Sequence, residues 1–146
     1  MRQTIFTSSH VELGGIYRVH WLRFAVEKIT ERTSHRRIRN RNRQFRFAIE
    51  DFSQVQSPHA ELHSRYRDSI DFDGAWTIEE CLFGEYLSVK NIFQTKCISV
   101  FDQDKLIAAG YFDVGQQSAA SILHFFDPHY RKYSLGKFCL LYTSDA

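Results

Sequence analysis

Seven arginines, Arg32, Arg36, Arg37, Arg39, Arg41, Arg43 and Arg46, fall between positions 32 and 46 of this 146-residue chain. Like charges so close repel one another, a cost that a purely structural segment avoids and that a polyanion relieves through counterion release. Asn40, Asn42 and Gln44 lie among them and add hydrogen-bond donors for phosphate or 2′-hydroxyl groups, contacts that position a nucleic acid without reading its sequence. The competing reading is a solvated basic face whose charge the rest of the chain partly offsets. Other residue types that do chemistry are less well arranged. The seven histidines make no HExxH or Cys/His metal spacing. His59 and His63 stand four apart, as two ligands on one helix face would, yet no carboxylate or cysteine is placed to complete a site. Cys81, Cys97 and Cys139 are odd in number and widely spaced, which fits buried thiols better than a disulfide framework or a CxxC knuckle.

The elements that must carry these residues follow from periodicity. Residues up to 15 are polar and turn-rich, and residues 17–29 alternate as a strand. The arginine run is compatible with a short helix capped by Thr33 or Ser34, and Phe45, Phe47 and Ile49 mark a second strand running into Asp51. Ser57-Pro58 reads as the N-cap and first-turn proline of a helix carrying Leu62, Tyr66 and Ile70, broken by Asp71-Phe72-Asp73-Gly74. Thr77-Ile78-Glu79-Glu80 has capping-box spacing ahead of Leu82, Phe83, Tyr86 and Leu87. Residues 96–101, 106–114 and 119–126 then form three strands of an antiparallel meander, joined at 102–105 and 115–118. Asp127-Pro128 ends the third strand, and Ser134-Leu135-Gly136 opens an amphipathic segment.

With 43% hydrophobic and 15% aromatic residues the chain can bury one core, so one domain is expected. Trp21 and Trp76 sit within apolar patterns and read as core aromatics rather than base-stacking platforms. No apolar run reaches membrane-spanning length and no cleavable leader is visible, so the expectation is a soluble, intracellular chain. The net charge of +2 conceals an asymmetry: residues 1–46 carry +8 and residues 47–146 carry −6. A basic arm joined to an acidic body attracts polyanions through its local field.

Residues 105–136 contain, in order, Leu106-Ile107-Ala108-Ala109-Gly110, Asp113, the serine-rich 118–121, Phe126-Asp127-Pro128 and Ser134-Leu135-Gly136. This order resembles the C-terminal domain of the arginyl- and leucyl-tRNA-protein transferases, with its G-x-L-(I/V)-A-x-G-x-x-D strand, F-x-D-P strand end and S-L-G helix start. Glu61-Leu62-His63-Ser64-Arg65-Tyr66 is similar to the family's L-Y-x-R-Y helix, and Thr33-Ser34-His35-Arg36-Arg37 with Asn40 or Asn42 to its S-R-S-Q-R-R…R-N segment.

The resemblance implies an α/β acetyltransferase-like (GNAT) fold, a mixed sheet with flanking helices that is incomplete at the C-terminus. It implies a polar N-terminal segment over 1–16, the GNAT-like domain over 17–138, and a non-native tail over 139–146. The implied activity is cytoplasmic transfer of arginine or leucine from aminoacyl-tRNA to the N-terminal α-amine of an acceptor protein with a suitable exposed first residue, marking it for N-end-rule degradation. No membrane partner is implied. The family's N-terminal cysteine cluster, implicated in metal or iron-sulfur binding, has no counterpart before Cys81, so no cofactor or metal is expected.

Under this resemblance Arg32, Arg36, Arg37, Arg39, Arg41 and Arg43 bind tRNA, and the amides of Leu135 and Gly136, after Ser134, hold a phosphate near its acylated end. Asp113 and Asp127 steer the amine, and Tyr130 or His129 relays a proton. Each has a plainer alternative: Asp127 as a turn residue, His129 as a loop histidine, and Ser134 to Gly136 as an ordinary cap with a packing glycine. Two other functions stay open, an acyl-coenzyme A-dependent GNAT acyltransferase and a non-catalytic RNA-binding module. The first is disfavoured because Arg131-Lys132-Tyr133-Ser134-Leu135-Gly136 lacks the second glycine of a pyrophosphate loop.

Overall fold

Thr4, Ile5, Thr7 and Val11 are β-branched, and Ile16 and Val19 answer them across a short connection, a composition suited to paired extended strands. The computed structural model describes residues 4–12, 15–23, 31–72, 77–83, 94–115 and 119–143. It places β1 (Thr4–Glu12) antiparallel to β2 (Gly15–Arg23), from Thr4 opposite Arg23 to Glu12 opposite Gly15. Residues 4–12, read as polar and turn-rich, are therefore a strand, because backbone pairing across a hairpin does not require apolar side chains. Trp21 lies on β2. The expected strand residues 24–29 and Trp76 fall outside the described residues. The hairpin belongs to one compact unit, Met1–Arg32, and the rest of the chain, Thr33–Ala146, forms another.

The second unit begins with α1 (Thr33–Asn42), which starts on Thr33 itself, so Thr33 is its first residue rather than its cap. Edge strand β3 (Arg46–Asp51) follows, then α2 (Ser57–Arg67). Gln56, not Ser57, occupies the α2 N-cap and no side chain caps it; Pro58 sits in the first turn, where its missing N–H costs nothing. α2 stops at Arg67, before the expected Asp71 break, and Ile70 lies beyond it. α3 (Ile78–Phe83) carries the capping interaction that its spacing implied, with the Glu80 amide donating to Thr77 Oγ1 at 3.0 Å. Tyr86 and Leu87 are outside the described residues.

β4 (Gln94–Asp102), β5 (Lys105–Val114) and β6 (Ala119–Phe126) complete a four-stranded sheet in the order β3-β4-β5-β6, every pair antiparallel. No parallel pair occurs among the described residues. The β4–β5 turn is tight enough to put Gln103 at φ 55°. A 3-10 segment, Pro128–Tyr133, leads into α4 (Leu135–Thr143).

Both faces of this sheet are covered. On one, Ile98, Val100, Ile107, Ala108 and Phe112 pack against Leu135, Phe138 and Cys139 of α4, with Phe45 below α1. On the other, Leu106, Ala109, Tyr111 and Phe125 meet Leu62 of α2 and Ile78 of α3. Burial on both faces explains why β5 reads as a continuous apolar run rather than an alternating one. α4 sends Leu135, Phe138, Cys139 and Tyr142 to one side at helical spacing, so its core stripe continues past residue 138.

Candidate nucleic-acid interface

α1 has no acidic residue in its first turn and places Arg39 and Arg41 in its last, where the helix dipole favours cations. Something must hold this repelling helix down, and the 3-10 segment does. Asn42, fully buried, donates from Nδ2 to the carbonyls of Ile38 at 2.8 Å and Tyr133 at 3.0 Å. Arg41 donates from Nη1 to the Lys132 carbonyl at 2.8 Å. Phe45, just past the helix, packs edge-on against Tyr130 and Tyr133 at centroid distances of 5.9 and 5.0 Å. Arg39 stacks its guanidinium 4.7 Å from the Tyr142 ring of α4.

These contacts fix the arginine helix directly against the segment that joins Asp127 to Ser134. Arg36, Arg37, Arg41 and Arg43 are exposed, as are Arg131, Lys132 and Lys137 on the neighbouring segment and first turn of α4. The last three were not among the residues singled out as RNA-binding; the pair Arg131-Lys132 two residues before Ser134 was the available signal. Two polar residues of the arginine-rich stretch have structural contacts. Asn42 is committed to structural hydrogen bonds, and Arg46 lies 4.2 Å over the Phe101 ring.

Asp127 sits where β6 ends, its amide donating to the Ile107 carbonyl at 2.8 Å. It is almost wholly buried, and its carboxylate is the N-cap of the 3-10 segment. Oδ1 accepts from the His129 amide at 3.0 Å and faces His129 Nδ1 at 2.9 Å, while Oδ2 pairs with Lys105 Nζ at 2.8 Å. Burial opposes its charge, but the hydrogen bonds from Lys105 and His129, together with the Lys105 charge, outweigh burial and hold the carboxyl at about 2. A carboxylate so stabilised is a poor acceptor for an amine proton near neutral pH; its chemistry is that of a fixed anion and a structural cap.

Tyr130 donates its hydroxyl to Asp102 Oδ2 at 2.8 Å, and that bond, with burial, raises its pKa. Lys105 Nζ lies 5.3 Å from the same ring. Asp127, Tyr130, His129, Lys105 and Asp102 thus form one charged cluster under the 3-10 segment. Lys105 and Asp102 were missed from sequence, being strand ends without any recognisable motif.

Asp113 is elsewhere. It faces Thr95 across β4–β5 and accepts from Thr95 Oγ1 at 2.6 Å. Asp127 is bonded at Ile107, six residues back along β5, so the two carboxylates are separated by roughly 20 Å at strand spacing. The structure unites Asp127 with Tyr130 and leaves Asp113 at the other end of the sheet.

Ser134 takes a left-handed conformation, φ 57° and ψ 43°, between the 3-10 segment and α4. Leu135 is wholly buried, backbone included, so of the two amides expected to hold a phosphate only that of the half-buried Gly136 lies on a residue that solvent reaches. A Cβ built on Gly136 meets Phe126 Cδ1 at 4.0 Å, an ordinary contact, so packing does not demand glycine there. His59 and His63 do not converge on a common ligand: His59 Nε2 bonds Ser99 Oγ at 2.9 Å, and His63 packs edge-on against Phe125. Among the described residues no group of three or more His, Cys, Asp or Glu is arranged to hold a metal ion, and no helix is long and apolar enough to cross a membrane.

Comparison with known proteins bears on this surface. The family model described as arginine-tRNA-protein transferase, C terminus, matches residues 58–145. Proteins named aspartate/glutamate leucyltransferase from three strains of Campylobacter jejuni subsp. jejuni or Campylobacter jejuni (81-176, 81116 and RM1221) are each 26% identical over 123 residues, 82% of this chain and 51% of theirs. The chain therefore spans about half the length of the curated relatives it matches.

Proposed function

The chain belongs to the arginine-tRNA-protein transferase family through its C-terminal domain, and from that premise we propose that it takes arginine or leucine from aminoacyl-tRNA and transfers it to the N-terminal α-amine of an acceptor protein. The observation that carries this reading is the fastening of α1 to residues 128–133. It lets one RNA meet Arg36, Arg37, Arg41 and Arg43 and also reach Lys132 and the start of α4. The backbone N–H of Gly136 and the positive end of the α4 dipole suit a terminal phosphate, and Gly136 admits close approach that packing does not require.

In the proposed reaction the acceptor nitrogen bonds to the aminoacyl carbonyl carbon, the ester C–O bond breaks, and the departing ribose oxygen takes up the proton that the amine loses. No covalent enzyme intermediate is needed, so the protein contributes by positioning. Asp127 and Tyr130 serve this by holding the 3-10 segment that sets the RNA-binding surface. Asp113 stands apart from it.

The order strand, two helices, three-stranded meander, helix supports a GNAT-like arrangement. The relatives' printed name supports acceptors beginning with Asp or Glu, and marking for N-end-rule degradation in the cytoplasm is the consequence proposed for the product. The test is transfer of labelled leucine and arginine from charged tRNA onto peptides with N-terminal Asp, Glu or Gly. Label on the acidic peptides alone is expected. Tight tRNA binding with no transfer to any peptide would instead leave a binding module.

A further inference from the structure

The arginine helix ends on a residue that carries no charge and no exposed surface. Asn42 closes α1 fully buried, where the helix meets the 3-10 segment. Its Nδ2 donates to two carbonyls, that of Ile38 within α1 at 2.8 Å and that of Tyr133 at 3.0 Å. Its Oδ1 is also buried and has no hydrogen-bond partner. A buried amide with one end unsatisfied loses part of what its two bonds contribute, so stability is a weak reason for asparagine here.

The Tyr133 carbonyl supplies a stronger one. It shares a planar peptide unit with the amide of Ser134. Ser134 is left-handed at φ 57°, a conformation that a residue with a Cβ rarely adopts and that persists only where its surroundings enforce it. On the amide side the unit is held by a bond to the Arg131 carbonyl at 3.3 Å, long for its type. On the carbonyl side it is held by Asn42. The direction in which the chain leaves the 3-10 segment for α4 therefore depends on a bond that the arginine helix makes.

Exposed cations stand on both sides of this bond. Arg37, Arg41 and Arg43 belong to α1 and its end, while Arg131, Lys132 and Lys137 flank Ser134. A folded RNA presents its phosphates at fixed spacing, so two groups of cations meet it together only when their own separation is fixed beforehand. The other polar tie, from Arg41 to the Lys132 carbonyl, is exposed, and water or a phosphate competes for the same guanidinium. Asn42 meets neither competitor.

We infer that Asn42 is a positioning residue of the RNA surface: it touches no RNA, and through the Tyr133 carbonyl it fixes the register between the α1 arginines and the cations around Ser134. The inference rests on the aminoacyl-tRNA reading above. The test compares the 146-residue chain with its Asn42→Ser variant, measuring affinity for uncharged tRNA and, separately, for heparin, a flexible polyanion. A serine hydroxyl has one proton to donate and favours the carbonyl four residues back, so the bond within α1 is kept and the one to Tyr133 is lost. Affinity for tRNA is expected to fall about fivefold to tenfold, while affinity for heparin changes less than about twofold because every cation is retained. Lys132→Ala should weaken tRNA binding in the unaltered chain and add little in the Asn42→Ser background. If Asn42→Ser binds tRNA as tightly as the unaltered chain, the assignment is overturned. Equal losses toward tRNA and heparin also overturn it, leaving Asn42 a residue of the fold alone. If the unaltered chain binds no tRNA, the aminoacyl-tRNA reading falls and takes this assignment with it.

Discussion

Asp127 keeps a charge where water barely reaches it, and its partners decide what that does for the protein. Its carboxyl is held at about 2, below the ordinary 3.8, so the folded state gains stability above pH 4 that disappears as pH falls toward 2. Asp127→Asn is expected to cost about 2 kcal/mol at neutral pH and to flatten stability between pH 4 and pH 2, as urea denaturation at stepped pH would record. His124 acts in the opposite chemical sense with the same direction in pH. Its folded value of about 4 lies below 6.5, so the unfolded chain takes up the proton first and stability declines as pH drops from 6.5 toward 4. Acidifying from pH 7 to pH 5 should remove on the order of 2 kcal/mol, and His124→Gln should abolish most of that slope. These residue roles were only partly legible. Asp127 stood out through its place before Pro128, but its partners Lys105 and Asp102 come from strand ends brought near by the β4–β5 turn, which no local pattern announces.

At the scale of elements, two glycines make contrasting demands. Gly110 lies under His124, and Gly110→Ala should destabilise by about 1–3 kcal/mol through overpacking. Gly136 has room for a methyl group, so Gly136→Ala should leave stability unchanged or raise it by up to about 1 kcal/mol while weakening tRNA binding. A parallel loss of stability and binding in Gly136→Ala would mean that the helix start serves packing alone. Binding and denaturation curves of both variants distinguish these cases. The meander, α3 with its Thr77 cap and the arginine helix were readable because periodicity and turn chemistry agree there. β1 was not, since Thr and Ser paired through the backbone look like loop, and the α2 cap was displaced by one residue because Pro58 tolerates either of the first two helical positions. The separation of Asp113 from Asp127 needed the strand register, which spacing along the chain does not contain.

For the whole molecule, the surface formed by α1, the 3-10 segment and the start of α4 places exposed cations on neighbouring elements around a compact acidic anchor. Four exposed arginines of the α1 region imply a slope of about −3 to −4 for log affinity against log salt concentration in tRNA binding, and Arg37→Ala with Arg41→Ala should make it shallower. The central claim is that a single tRNA spans the arginine helix and the start of α4. Photo-crosslinking from position 37 and from position 136 to end-labelled leucyl-tRNA tests it most directly. The account predicts that position 136 reaches the terminal nucleotides of the acylated end and position 37 the adjoining acceptor stem of the same RNA. Crosslinks from position 37 alone, or from the two positions to distant parts of the tRNA, would contradict it.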